Sequence, residues 1–418
     1  MKPDYDPYSH RWKHDPYTAY RHLRDEAPVY FAPESGVWCI SRHADVEHVL
    51  KNPEIFCSRG AMFDRSQRFA QMSTVAKAVE MMRVFWRFRA TPSTLLKSRM
   101  LILDDGEVHH GLRTIVNRGF TPRRIRVWED RIRELVDQCM AHVQEHGSFD
   151  LIHDLAVPLP VTVIAEMLGV DPSEMSRFKR WSDELIQTST GSGMKEPSSG
   201  FGTEAIGEMR SYVMPIVRAR RRDPQDDLIS TIVTAEPGDE ALSDHEVLMF
   251  FVLLLVAGNE TTTNLLGNAA DALLQHPEVL DDVVADPTLI PGLVEETLRW
   301  DNPVQFINRL TTQETELHGT KIPKDARVLV MLGAANRDER FFTEPDRYDP
   351  RREPKSHLGF GYGHHFCLGA SLARLEAIGA LQGLIPELPR LRRVNPKVEF
   401  LDSYLIRGRA RIELTLRE

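Results

Sequence analysis

Apolar residues at Ile125, Trp128, Ile132, Leu135, Val136 and Met140 recur at steps of three and four after the pair Thr121-Pro122. That spacing predicts one helix opening at Thr121, with proline at its first position and one apolar face. Further on, Ser243-Asp244-His245-Glu246 reads as a capping box, with serine at the N-cap and glutamate three residues later. No proline follows until Pro277. The helix should therefore run for about 33 residues, roughly 50 Å at 1.5 Å per residue. Its first half is apolar on all sides, which places it in the protein interior. The longest apolar run, residues 247–257, has eleven residues, short of the roughly 20 that a membrane-spanning helix needs.

More helical patterning lies near residues 289–300 and from Gly369 onward. Strand-like alternation marks residues 37–40, 309–317, 327–331 and 409–416. Residues 336–363 are irregular. Residues 188–202 are rich in Gly and Ser and predict a flexible loop between two helices. A domain linker is not expected there, because neither side carries a core pattern of its own. The expected fold is mainly α with small β-sheets, a single domain over residues 1–418.

Composition narrows the function classes. Of 418 residues, 42% are hydrophobic and 27% charged, which excludes disordered and fibrous classes. The net charge of −9 argues against general nucleic-acid affinity. The four cysteines, Cys39, Cys57, Cys139 and Cys367, are too few for a disulfide scaffold and lack metal-type spacing. The first residues are polar and broken by proline, without the apolar core of a secretion signal. A cytoplasmic protein is expected.

Cys367 carries the chemistry. It lies in Phe360-Gly361-Tyr362-Gly363-His364-His365-Phe366-Cys367-Leu368-Gly369, immediately before a strong helical pattern. A thiol at a helix N-terminus meets the positive end of the dipole, which favours thiolate. A lone cysteine can equally be a buried structural residue. The surrounding pattern decides: FxxGxHxCxG resembles the ligand loop of haem-thiolate proteins at every fixed position. From Ala27-Pro28-Val29 to the last strands, the chain resembles the cytochrome P450 family in its soluble bacterial form. Three further motifs occur in that family's order.

The first of these is Ala257-Gly258-Asn259-Glu260-Thr261-Thr262, at the middle of the long helix. A buried carboxylate is costly unless paired or solvated, so the segment is either a satisfied polar cluster or an acid–alcohol pair lining a cavity. The resemblance implies the second. Glu260 and Thr261 would relay protons over the open face of the haem, and Gly258 would leave room for oxygen and substrate. Next comes Glu296-Thr297-Leu298-Arg299, which with Arg352 would lock the loop ahead of the cysteine. The last, His109-His110-Gly111-Leu112-Arg113, implies with Arg309 and His365 a set of donors for the haem propionates.

The resemblance therefore implies one domain with haem b buried between the long helix and the cysteine loop. Cys367 is the axial thiolate and metal ligand, with Phe360 and Gly369 completing the loop. No CxxCH is present, so the haem is otherwise held non-covalently. The implied activity is a monooxygenase that hydroxylates a C–H bond of a lipophilic substrate with dioxygen. Electrons would come from a separate ferredoxin and its reductase, since no dinucleotide fingerprint is present. Implied pocket walls are Val256, Gly258, Val304, Phe306, Tyr404 and Leu405. They are mostly apolar and do not choose among steroid, terpenoid, fatty acid and aromatic.

Residues 61–100 would cap this pocket as a lid. They carry eight basic residues against Asp64 and Glu80, and Arg83, Arg87 or Arg89 could hold an anionic substrate group. Seven arginines between Arg113 and Arg133 suggest a ferredoxin docking patch. A monomer is expected. Rival readings are a hydrogen-peroxide-driven peroxygenase of the same fold and a non-catalytic haem-binding sensor. A cysteine hydrolase using His364 or His365 as base is a third.

Overall fold

The computed structural model describes residues 4–59, 73, 99–190, 203–234, 240–353 and 356–417. Almost all of the expected lid and most of the Gly/Ser-rich segment lie outside the described residues. Residues 188–190 are the exception: they finish the helix Met175–Thr190, which runs further than the composition suggests.

The molecule is organised around the helix Asp244–Gln275, called the central helix below. Its capping box is complete. The Ser243 hydroxyl accepts from the Glu246 N–H at 3.3 Å, and the Glu246 carboxylate accepts from the Ser243 N–H at 2.8 Å. Such reciprocal caps satisfy two orphan donors at once. By length and composition this helix could cross a membrane, but 61% of its most apolar window is buried inside the protein. It packs against the helices Pro158–Leu168, Thr203–Arg222, Ile290–Trp300 and Ala370–Leu384.

The helix Ala370–Leu384 leaves the cysteine loop and packs along Glu129–His146. Gly383 permits that approach, since a Cβ there would lie 2.5 Å from Val136 Cγ1. The single helix expected from Thr121 is in fact two, Pro122–Arg126 and Glu129–His146. One turn joins them, with the Trp128 N–H donating to the Ile125 carbonyl at 3.0 Å. Ile125 and Ile132 stay buried on both sides of the turn while Val127 is 72% exposed. The apolar spacing therefore survives a break that it cannot report.

A five-stranded sheet flanks the helices, in the order Val29–Ala32, Val37–Ile40, Arg327–Val330, Ile307–Thr311, Phe56–Cys57. Val37–Ile40 and Arg327–Val330 run parallel and the other pairs antiparallel. Residues 309–317 do not form one strand, because Thr315–Leu317 belongs to a separate hairpin. The tail also splits. Arg409–Arg411 pairs with Glu399–Phe400, whereas Glu413–Leu416 joins Ser148–Asp150 and Leu391–Arg393, with Ile412 buried at the switch.

Between Asn336 and Tyr362 the described residues form only turns. They are held from one side by Arg299, which makes a two-pronged pair with Glu296 at 2.7 Å on both arms. Arg299 also donates to the carbonyls of Asn336 (2.9 Å), Pro345 (2.8 Å) and Arg347 (3.1 Å). Arg352 reaches the same glutamate at 3.2 Å. Removing one member of a buried pair of this kind costs about 3–5 kcal/mol. The network fixes the approach to the cysteine loop.

Candidate active site

Cys367 follows a short turn, Gly363–His365, and precedes the helix Ala370–Leu384. Its N–H donates to the Phe360 carbonyl at 2.9 Å, which closes the loop on itself. Gly363 has φ +72°, and a Cβ there would lie 2.8 Å from the Leu50 carbonyl oxygen. Only glycine fits. Burial pushes the Cys367 thiol up from its ordinary value, while the Gly369 N–H and the charges of Arg113 and Arg374 pull the other way. Burial prevails, so the helix end alone does not sustain a thiolate. A thiolate here needs a cation on the sulfur. Phe360 lies under the Arg374 guanidinium at 4.5 Å, and Arg374 is pinned by Glu295 at 2.6 Å.

The residues expected to hold carboxylates do converge. The rings of His109 and His365 are 4.3 Å apart, and those of His109 and His364 are 5.0 Å apart. His109 is buried, and its Nε2 has no hydrogen-bond partner among the described residues. Burial, then the neighbouring His365, His364 and Arg113, hold it down to about 4, so it is a neutral donor at pH 7. Arg309 is also buried and donates to the Asn308 carbonyl at 2.7 Å. Arg113 donates to Asn117 at 3.1 Å.

One acid serves this group. Asp105 accepts from His365 at 2.9 Å, from His364 at 3.2 Å and from the Ser58 N–H at 2.7 Å. Burial alone would raise its carboxyl, but those three bonds overcome it and hold it well below the ordinary range. A cationic cluster with an orphaned imidazole and one carboxylate fits a bulky group that brings two more carboxylates, as haem does. The same bonds turn His364 and His365 towards Asp105, which disfavours either as a base for the sulfur.

On the central helix, Ala257 is exposed and Val256, Gly258 and Thr261 are half-exposed, while Asn259, Glu260 and Thr262 are buried. The Thr261 hydroxyl donates to the Ala257 carbonyl at 2.7 Å. A Cβ on Gly258 would make ordinary contact with Ile164 Cγ1 at 3.4 Å, so a larger side chain there would press on Ile164, whereas Ala257 is the more exposed of the two. Glu260 is buried and faces the helix Met175–Thr190, where Lys179 donates to it at 3.0 Å. Burial raises the Glu260 carboxyl and Lys179 opposes the rise. Lys179 also pairs with the exposed Asp183. A buried acid, an amine and a surface acid thus stand in series. Thr262 points elsewhere, to Glu376, whose carboxyl is pushed up to about 8 by burial and is neutral at pH 7.

Of the six expected pocket walls, Val256 and Gly258 lie on the central helix, and Val304, Phe306, Tyr404 and Leu405 lie close together, with Val304 bridged to Ile406 and the Gln305 N–H donating to the Leu405 carbonyl at 2.9 Å. Val256 packs with the helical core and Val304 with the five-stranded sheet. Phe306, Tyr404 and Leu405 join an aromatic cluster with Tyr5, Tyr8 and Tyr20. Tyr404 is anchored there by His10 at 3.2 Å. The arginine patch is also smaller than its sequence. Arg124, Arg131 and Arg133 are in ion pairs with Asp226, Glu166 and Asp130. Arg123 and Arg126 are exposed beside Val127.

Comparison with known proteins gives a consistent match. A family profile described as Cytochrome P450 matches residues 76–385. The Steroid C26-monooxygenase of Mycobacterium tuberculosis is 35% identical over 376 residues, covering 90% of this chain and 87% of that protein. The Vitamin D(3) 25-hydroxylase of Pseudonocardia autotrophica is 36% identical over 420 residues, covering 99% and 96%. Among solved structures, cytochrome P450 CYP109Q5 from Chondromyces apiculatus superposes with a TM-score of 0.83 at 35% identity, covering 100% of this chain and 99% of that one.

Proposed function

This chain belongs to the cytochrome P450 family and is a monooxygenase, and we propose that it hydroxylates an unactivated carbon of a steroid- or sterol-like substrate with electrons from a separate ferredoxin. The observation that supports the reading is the presence in one fold of a half-buried cysteine loop and an acid–amine–acid series, Glu260–Lys179–Asp183, on the central helix and the helix packed against it. Two relatives with names in this substrate class support the choice of a polycyclic lipophile.

Bound haem b supplies the activation of dioxygen and the oxidising power. Cys367 would hold the iron through its thiolate, the charge of which burial disfavours in the absence of a cation. His109, Arg113, Arg309 and His365 would hold the two propionates, whose oxygens would accept from the otherwise unpartnered His109 Nε2 and from the guanidiniums. Thr261 offers a hydroxyl on the open face of the central helix, already oriented by the Ala257 carbonyl. Glu260 would take a proton from the Lys179 ammonium as it gives up its own, and solvent reaching the amine beside Asp183 would restore the ammonium. A general acid–base relay of this type contributes about 10²–10⁴ in rate. A peroxide-driven enzyme needs no such relay, nor does a sensor.

The test is turnover of a sterol panel under ¹⁸O₂ with a surrogate ferredoxin and reductase. One labelled oxygen per product molecule is expected. Equal turnover with hydrogen peroxide alone would favour the peroxygenase, and no turnover of any lipophile would favour the sensor.

A further inference from the structure

Away from the cysteine loop, a cleft of about 780 Å³ opens beside the start of the helix Tyr17–Glu26, the end of the helix Ile290–Trp300 and the hairpin of Glu399–Phe400 with Arg409–Arg411. The volume is in the range of small-molecule sites. Two fully buried acids lie at its inner side. Asp301 accepts from Arg407 at 2.6 Å and from Arg409, and Asp271 accepts from Arg409 at 2.6 Å and from Arg393. Arg337 adds a fourth guanidinium, donating to the Trp300 carbonyl at 2.8 Å and reaching Asp346 at 3.4 Å.

Four largely buried guanidiniums thus face two buried carboxylates, an excess of two positive charges that no pH change removes. At the rim, Arg21 sets off Asp346, and Asp15 caps the helix by accepting from the Tyr17 N–H at 3.1 Å and the Thr18 hydroxyl at 2.8 Å. The one negative charge left over there is at the solvent edge, where water and salt screen it. Inside, burial holds Arg337 and Arg409 below their ordinary range, and burial followed by repulsion from Arg409 does the same to Arg393.

The arginines are also held rigid. Arg337 is stacked 3.6 Å from the Tyr17 ring and 4.3 Å from Trp300, and Phe400 lies 4.5 Å from Arg407. Nη2 of Arg337 and Nε and Nη1 of Arg393 donate to none of the described residues, and none of the three is a sealed orphan. They are donors open to the cleft. We propose that this cleft binds a small dianion, a phosphate monoester or a dicarboxylate, through Arg337 and Arg393, at a site separate from the haem. Two excess charges match such an anion, and guanidinium forks suit both of its forms.

The experiment is thermal unfolding of the holoenzyme in inorganic phosphate or pyrophosphate, and separately in succinate, each against sodium chloride at matched ionic strength. A ligand that binds only the folded state raises Tm by mass action. A saturable rise beyond chloride is expected in at least one arm, and the responding arm identifies the chemistry. Arg393→Gln, the more accessible change, should weaken the apparent affinity at least tenfold, and Arg337→Lys likewise. Arg123→Gln, on the distant arginine patch, should leave it unchanged. Substrate-induced haem spectra should keep their Kd in Arg393→Gln. No rise beyond chloride in any arm, or a rise equal in wild type and Arg393→Gln, overturns the proposal.

Discussion

Lys179→Met isolates the proton chain because it deletes one member and leaves both the cysteine loop and the Thr261 hydroxyl untouched. In the native protein Lys179 Nζ lies 3.0 Å from the Glu260 carboxylate. At an effective dielectric of about 20, that contact is worth about 5 kcal/mol. The lysine side chain is 25% exposed and shared with Asp183, so roughly half of that, about 2–3 kcal/mol, is a fair figure for the loss. Without the amine, the main opposition to burial is lost, and Glu260 rises further above its ordinary value. At 1.36 kcal/mol per tenfold, turnover should fall by a factor on the order of 30–100, with reducing equivalents diverted to hydrogen peroxide. Lys179→Arg should restore part of the loss. The pH dependence has a definite sign. A carboxyl raised in the folded state contributes stability at low pH and loses it as pH rises through the folded value. Lys179→Met should therefore lose stability relative to wild type on going from acid to neutral pH. Product formed per electron pair, measured across pH in both variants, is the assay. Coupling and a pH–rate profile identical to wild type would refute the relay.

Three other outcomes follow from the geometry. Gly258→Leu should overpack against Ile164, lowering stability by about 1–3 kcal/mol, whereas Ala257→Leu should leave stability near wild type but obstruct substrate-induced spectral change; the reverse pattern would contradict the placement of the two residues. Arg299→Lys breaks the fork to Glu296 and the three carbonyl contacts, so purified protein should contain little haem and be destabilised by about 3–5 kcal/mol, and full haem content would count against the locking role. Arg123→Glu with Arg126→Glu should slow reduction by an acidic ferredoxin and flatten its salt dependence, while Arg131→Glu should instead lower stability through loss of its Glu166 pair; rates indifferent to the double change would remove the docking patch.

Much of the scaffold was legible because it is written locally. The capping box of the central helix, the proline that ends it, the glycines of the cysteine loop and the Glu296–Arg299 spacing are each encoded within a few residues. What was not legible depends on neighbours distant in sequence. Lys179 joins the site only because the helix Met175–Thr190 packs on the central helix, and no spacing links it to Glu260. Asp105 is invisible until His364 and His365 fold back onto it. Gly258 and Ala257 are adjacent in the motif but lie on different faces of the helix. The motif does not show which of the two faces Ile164 and which is the more exposed. Phe306, Tyr404 and Leu405 were assigned to the pocket by resemblance, and their packing with aromatic residues of the first twenty positions is not written in any local spacing. The split of the tail at Ile412 has the same origin: one alternating stretch serves two sheets, and alternation does not say where its partners lie.

The central claim is that Cys367, alone of the four cysteines, is the iron ligand of the haem. The direct measurement is the absorbance difference spectrum of reduced protein with carbon monoxide, in wild type and in the four single Cys→Ser variants. The red-shifted Soret band of thiolate-ligated haem is expected in wild type and in the variants at Cys39, Cys57 and Cys139, and its loss only in Cys367→Ser. Retention of that band in Cys367→Ser, with its loss in one of the others, would contradict the account.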